Sequence, residues 1–305
     1  MQYWTPATSR GFAQGITHAF ARLGNFVTPP IVATLMVWLT WRGSFVVLGF
    51  VSLLWGIVWV WYFRNEPKDH SGITAAELAS LPPRPTGAKP PVPWGPLLRR
   101  MWPVTLTYFC YGWSLWLYLN WLPLFFKNNY SLDLKNSALF SAGVFFAGVI
   151  GNSIGGWLSD AVLRRTGNVR LARLSITVIG FAGALASLFP ILFIHDLTIV
   201  ALCLSAGFFF AELVIGPMWS IPMDIAPRYS GTASGIMNMG SAGAAIASPL
   251  VAGIVIDATG NWYLPFIMLM GVLLVGGFSA FLMHPELPFK EIEPDAPVGR
   301  TVAAV

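Results

Sequence analysis

Residues 10–30 read RGFAQGITHAFARLGNFVTPP, and residues 230–250 read SGTASGIMNMGSAGAAIASPL. Gly11, Ala13, Gly15, Ile16, Thr28 and Pro29 of the first stretch align with Gly231, Ala233, Gly235, Ile236, Ser248 and Pro249 of the second, all at an offset of 220 residues. Each stretch continues through a short polar break into one further apolar run. A small-residue helix that recurs in register marks a duplicated membrane protein, because parallel repeats place the same helix in each half of the fold. Chance is the competing explanation, since Gly and Ala are common in membrane helices.

Composition settles the class. Hydrophobic residues make up 55% of the 305 residues and charged residues 10%, with a mean hydropathy of +0.65. Those values exclude an ordinary soluble globule. A span needs roughly 20 mostly apolar residues, and eight windows qualify: 11–39, 44–62, 103–122, 138–158, 174–194, 198–220, 231–256 and 262–283. All are expected to be helices, because lipid offers backbone groups no partner outside their own segment. The expected fold is therefore an all-α polytopic membrane protein with eight transmembrane helices.

The basic residues give an orientation. With the N-terminus inside, fourteen of the 18 Lys and Arg fall in cytoplasmic segments, among them Arg10, Arg64, Arg84, Lys89, Arg164, Arg165, Arg173, Lys290 and Arg300. Only Arg42, Lys127 and Lys135 fall outside, and Arg22 lies within a span. That bias predicts cytoplasmic termini. The net charge of +5 then belongs to cytoplasmic loops and calls for no nucleic-acid partner. Cys110 and Cys203 both lie in apolar runs, which gives neither a disulfide framework nor a metal site. No dinucleotide loop, phosphate loop, HExxH or nucleophile set is present, so neither an enzyme nor a cofactor is expected.

The longest polar stretch, Arg64 to Arg100, is rich in proline and reads as a linker between two helices and six. Within it, Thr74 and Glu77 have the spacing of a capping box for a short helix; disorder is the alternative. The expected division is 1–63, two helices closing an N-terminal bundle; 64–101, a cytoplasmic linker; 102–284, a six-helix C-terminal bundle; and 285–305, a cytoplasmic tail. Two helices before the linker against six after it suggest that four helices precede this chain in a complete version.

The loop after the fourth span reads Gly155-Gly156-Trp157-Leu158-Ser159-Asp160, then Arg164-Arg165-Thr166-Gly167 and Arg170. Gly156 and its neighbours allow close approach of another helix. Asp160 stands at a cytoplasmic helix end, where it can pair with Arg164 or Arg165 and with the start of a neighbouring helix. Such a pair can hold two bundles together on one side of the membrane and release them as they rock.

This loop resembles the G-x-L-x-D signature of the major facilitator superfamily, here between helices 8 and 9 of its twelve-helix fold. Trp4 to Gly11, Pro29-Pro30, Trp41 to Phe45, Tyr111 to Trp116 with Asn120-Trp121-Leu-Pro123, and Met223-Asp224-Ile-Ala-Pro227 resemble, more narrowly, its anion:cation symporters. The resemblance runs over essentially the whole chain, which would correspond to helices 5–12. It implies alternating-access import of a small organic anion such as a sugar acid, usually with protons, by a monomer in the cell membrane's lipid bilayer.

Helical geometry singles out a site. Gln14, His18, Arg22 and Asn25 share one face of the first span. A guanidinium in mid-membrane must turn to a cavity or a counter-charge, and its geometry suits a carboxylate. Ser205, Glu212 and Trp219 share one face of the sixth span, and Glu212 is the acidic residue deepest in any span. It is the candidate for binding a proton or for pairing with Arg22; a purely structural pairing and an ordinary core role for His18 remain open. The resemblance assigns Trp219 and Asn238 to the cavity wall, and the repeat puts Asn238 at the position of His18. Asn120 is a further candidate. Three outcomes are expected to separate: a proton-coupled importer, an inactive chain, or a membrane sensor or assembly subunit that kept the fold.

Overall fold

The computed structural model describes residues 3–82 and 91–289. Helices and turns make up all its regular structure, with no strand among the described residues. Arg84, Lys89, Lys290 and Arg300, part of the linker and most of the tail lie outside the described residues.

The first two expected spans form one helix, α1 (Arg10–Tyr62), broken at Thr40, where φ is 62° and ψ 172°. A positive φ is strained for a β-branched residue, so the chain turns sharply at one position and does not use a loop over 40–43. Ser44 Oγ then donates to the Thr40 carbonyl at 3.0 Å. Beyond the break α1 is apolar all round, and only 6% of its most apolar window is buried, against 56% for the window over Leu197–Ile225. Phe50, Trp55, Trp59 and Trp61 are exposed there. Such a surface needs lipid or protein outside the described chain to cover it.

In the linker, α2 (Ala75–Ser80) carries the capping box: Glu77 N–H donates to Thr74 Oγ1 at 3.2 Å, and the Thr74 N–H donates back to Glu77 Oε2 at 3.0 Å. α3 (Trp94–Asn129) spans 36 residues and contains Pro103 and Pro123. Two side chains bond at these prolines: Thr107 Oγ1 donates to the Pro103 carbonyl at 2.9 Å, and Ser137 Oγ to that of Pro123. α4 (Leu134–Thr166) ends on Gly167, whose φ of 64° is the left-handed cap that glycine takes at least cost. α5 (Val169–Leu188) begins on Asn168, which accepts from Leu171 N–H.

The 198–220 window is interrupted. α6 (Leu197–Leu213) and α7 (Ile215–Ile225) meet at Val214; Pro217, four residues after Leu213, has no N–H to donate to the Leu213 carbonyl. α8 (Ser230–Thr259) and α9 (Leu264–Ala280) complete the order. Among the described residues, five helical stretches are long and apolar enough to cross a membrane: Thr34–Tyr62, Asn136–Thr166, Val169–Leu192, Leu197–Ile225 and Pro227–Thr259. Leu264–Ala280 is shorter.

α3 is central, lying along α8 and α9, while α4 packs between α1 and α6 and α5 packs on α6 and α9. The repeat is not repeated in packing. Gly11 and Gly15 of α1 lie against Asp160, Asn152 and Gly156 of α4, whereas a Cβ added at Gly231 or Gly235 of α8 would meet nothing within 4 Å. α8 approaches α3 instead through Gly240, against Thr105 and Phe109.

Candidate functional site

Two polar clusters lie where α1 meets the rest of the protein. The first is central. Arg22 Nε donates to Glu212 Oε2 at 3.0 Å, and Arg22 Nη2 donates to the Tyr111 hydroxyl at 2.9 Å. That hydroxyl donates in turn to Glu212 Oε1 at 3.0 Å, which closes a ring of three groups from α1, α3 and α6. Asn152 of α4 adds Nδ2 on Glu212 Oε2 at 2.6 Å. Glu212 is 0% exposed and Arg22 8%, so each charge depends on the other and on these hydrogen bonds for its stability.

Aromatic rings extend the cluster. The Tyr108 and Tyr111 rings stack at 5.3 Å between centroids. Trp219 Nε1 donates to the Tyr108 hydroxyl at 2.7 Å, and the Trp219 ring lies 5.1 Å from that of His18. His18 Nδ1 is 2.8 Å from the Gln14 carbonyl one turn earlier. The structure thus brings His18, Arg22, Glu212 and Trp219 together. It does not bring in Asn120, which is exposed and bonds its own helix at the Trp116 carbonyl, 2.8 Å away, nor Asn238, which is exposed on α8 outside this hydrogen-bond network.

Tyr111 and Asn152 were not singled out as site residues from sequence. Their signals were present: Tyr108, Tyr111 and Tyr118 fall on one helical face, and Asn152, Gly156 and Asp160 recur at four-residue spacing on α4. A neutral polar residue in a Gly-rich helix is easily read as packing.

The second cluster caps α1. Asp160 Oδ1 accepts from the Gly11 N–H at 3.1 Å and Oδ2 from the Phe12 N–H at 2.6 Å, so a buried carboxylate closes the helix start. Its ionic partner is Arg173 of α5, at 3.0 Å, and not Arg164 or Arg165. Arg164 instead donates to the Thr8 carbonyl at 3.2 Å from an exposed position, and Arg165 is exposed. The physical reason is the Gly167 cap, which sends the chain back so that the first turn of α5 lies beside the last turns of α4. Arg173 also reaches Asp224 Oδ2 at 3.0 Å, and Arg10 holds Asp224 Oδ1 at 3.2 Å. Two carboxylates and two guanidiniums alternate across α4, α5, α7 and α1. Gly156 sits at the crossing: a Cβ there would meet the Gly11 carbonyl and lie 3.1 Å from the Phe12 Cα, and one on Gly216 would lie 2.6 Å from the Gly156 Cα.

A buried ion pair amid long apolar helices, with a second ionic cluster at the helix ends, defines a polytopic membrane protein whose polar groups face inward. The model of the Major Facilitator Superfamily matches residues 1–249. The chain belongs to that superfamily, a family of transporters. It is 45% identical over 301 residues to the probable sulfoacetate transporter SauU of Cupriavidus necator, covering 97% of this chain and 70% of the relative. It is 27% identical to the probable L-galactonate transporter of Escherichia coli, over 96% of this chain and 65% of that protein. The hexuronate transporter of Bacillus subtilis is 26% identical, over 91% of this chain and 64% of its own length. The chain thus spans about two thirds of the length of these relatives.

Proposed function

We propose that this protein carries a small organic anion across the cell membrane by alternating access, coupled to protons, with Arg22 as the anchor of the anion's carboxylate or sulfonate. The observation that carries the reading is the Arg22–Glu212–Tyr111 ring. It holds a guanidinium ready for an oxyanion in the interior, where a charge without a function would be selected against by its cost. The relatives' printed substrates, sulfoacetate, L-galactonate and hexuronate, are organic anions whose charged groups a guanidinium can pair.

In this reading His18 and Trp219 form the aromatic wall beside Arg22, and Asn238 and Asn120 face the cavity once the bundles rock. The chain crosses the bilayer eight times, with both termini cytoplasmic, as the loop charges imply. Residues 1–63 and 102–284 act as separate bodies joined by the linker, and the protein works as a monomer. The Asp160 cluster holds the cytoplasmic ends of α1 and α4 together in one conformation; Gly156, Arg164 and Arg165 belong to this gate.

The test is uptake of labelled sulfoacetate and of labelled glucuronate into proteoliposomes carrying the protein. Arg22→Ala is expected to abolish uptake of whichever anion is carried. Unchanged uptake by that variant would remove Arg22 from the site, and binding without counterflow would favour a membrane sensor or assembly subunit.

A further inference from the structure

We propose that the groove between the first half of α5 and the end of α9 binds one anionic phospholipid, with its phosphate on Arg170, an ester group on Ser175 and one acyl chain along the apolar floor. This site shares no residue with the Arg22 cluster and does not depend on what the protein carries.

The groove follows from how the two helices meet. α5 and α9 touch where the Phe181 ring lies against Gly276 and Gly277. Towards its start, α5 carries Arg170, Leu174 and Val178 along one ridge and Leu171, Ser175 and Ile179 along the next. Phe281, just past α9, closes the other side of a cavity of about 410 Å³. From Arg170 to Ile179 the helix rises roughly 13 Å, close to one leaflet's share of a hydrocarbon core about 30 Å thick. Spread over that length, 410 Å³ is a mean section of about 30 Å². A helix 10 Å across has a section of about 80 Å², so the groove admits a hydrocarbon chain and not a helix. Leu171, Ile179 and Phe281 are about half exposed along it, and α5 lies in a stretch, Val169–Leu192, that is long and apolar enough to cross a membrane. The groove therefore opens sideways to the bilayer.

Charge selects the head group. Arg170 stands at the start of α5, on the membrane face where α4 ends in Arg164 and Arg165 and where the positive end of the α5 dipole lies. Its side chain is 41% exposed, and its acceptor among the described residues is Glu286 Oε1, at a long 3.4 Å. That oxygen is shared with His284 Nδ1 at 3.1 Å. Arg100, which donates to the Leu287 carbonyl at 2.9 Å, brings a second guanidinium beside the same carboxylate. Cations thus outnumber the carboxylate at the head of the groove, and the remaining donors of Arg170 suit phosphate oxygens.

Ser175 points to the same ligand independently. Thr177 and Ser187 of α5 each donate to the carbonyl four residues back, at 2.8 and 2.7 Å. The Ser175 hydroxyl is buried in the groove wall with no hydrogen-bond partner among the described residues. A buried hydroxyl left unpaired costs free energy, and an acceptor from outside the chain would relieve it. Ser175 lies five residues deeper than Arg170, roughly 7.5 Å along the axis. A glycerophospholipid carries its ester carbonyls on that side of its phosphate, between the head group and the chains.

The experiment uses the purified protein in detergent and two probes with identical acyl chains, phosphatidylglycerol and phosphatidylcholine, each with a diazirine in one chain. Labelled peptides are mapped by mass spectrometry, and affinity is read from label yield against lipid concentration. Labelling is expected at residues 171–179 and at Phe281, with phosphatidylglycerol preferred about fivefold, the effect of one basic residue at an anionic surface. Arg170→Gln should remove the preference and leave phosphatidylcholine labelling unchanged. Glu286→Gln, which takes away the competing carboxylate, should hold phosphatidylglycerol at least as well as the wild type. A loss there equal to that of Arg170→Gln would assign the effect to the Arg170–Glu286 pair and overturn the head-group role. Ser175→Ala should weaken both lipids alike, because both carry the ester, without lowering the melting temperature in lipid-free detergent. A lower melting temperature with unchanged labelling would make the hydroxyl structural and overturn its part. Val178→Trp should fill the groove and abolish labelling there; should it fail to fold, the Arg170 and Ser175 variants carry the test. Equal affinity for the two lipids, or label spread evenly over other lipid-facing helices, overturns the proposal and leaves an ordinary annular lipid.

Discussion

Asn152 and Asp160 stand eight residues apart on one face of α4, the first on Glu212 and the second on the start of α1. Eight residues of helix rise roughly 12 Å. One rigid element therefore touches both the central ion pair and the charge cluster that caps α1. A motion of α1 and α6 relative to α4 must strain Asn152–Glu212 and Asp160–Gly11 together.

The cap yields the first prediction. In Asp160→Asn, Arg173 loses a buried ionic partner at 3.0 Å, and α1 keeps only a neutral group at its first N–H donors. Breaking one side of a buried pair costs about 3–5 kcal/mol when the other charge is left alone, and less here because Arg173 keeps Asp224 at 3.0 Å. Thermal unfolding in detergent should drop clearly for Asp160→Asn and for Arg173→Met. The double variant should lose less than the two losses added, because no unpaired charge is left between them. Strict additivity would mean that the two residues do not depend on each other.

Much of this was legible in the sequence, for identifiable reasons. Apolar windows located the helices because lipid-facing composition is read over about 20 residues at a time. The Arg22–Glu212 pair was legible because each is the lone charge deep in its span. The Thr40 turn was not, since a single positive φ in an exposed β-branched residue leaves no pattern in neighbouring side chains. Nor was the partner of Asp160: Arg164 and Arg165 lie closer in sequence, but the turn at Gly167 brings α5 back and puts Arg173 closer in space.

Glycine substitutions should separate packing from helix propensity. Gly156→Ala forces a methyl against the Gly11 backbone, whereas Gly235→Ala adds one where nothing lies within 4 Å. Backbone cannot yield as a side-chain tip can. Gly235→Ala should therefore leave stability unchanged or raise it by up to about 1 kcal/mol, the helix-propensity difference. Gly156→Ala should destabilise, and a thermal melt of the two proteins side by side decides the matter. Equal effects would show that the α1–α4 crossing is looser than the structure has it.

The linker helix carries a pH dependence of known sign. The Thr74 backbone N–H and hydroxyl donate to Glu77 and hold its carboxyl below the ordinary value of 4.5. A folded-state value below the unfolded one means that α2 gains its full capping contribution above the unfolded value and loses it as pH falls through the folded one. A carboxyl-carbon NMR titration should find the Glu77 midpoint lower in the wild type than in Thr74→Ala. Coincident midpoints would show that the capping box is not populated in solution.

The aromatic wall gives the last prediction. Tyr108 is 4% exposed, and its hydroxyl accepts from Trp219 Nε1 at 2.7 Å. Trp219→Phe keeps an aromatic ring near His18 but removes that donor. Leaving a buried hydroxyl underserved costs about 1–3 kcal/mol, whereas removing both partners costs much less. Trp219→Phe should thus lower stability measurably, and adding Tyr108→Phe should recover part of the loss. The anion-induced change in tryptophan fluorescence should be smaller in Trp219→Phe than in the wild type, because the indole stands one ring away from His18 and next to the Arg22 face. An undiminished signal would place the anion away from this wall and against other tryptophans, such as Trp113 or Trp116 on α3.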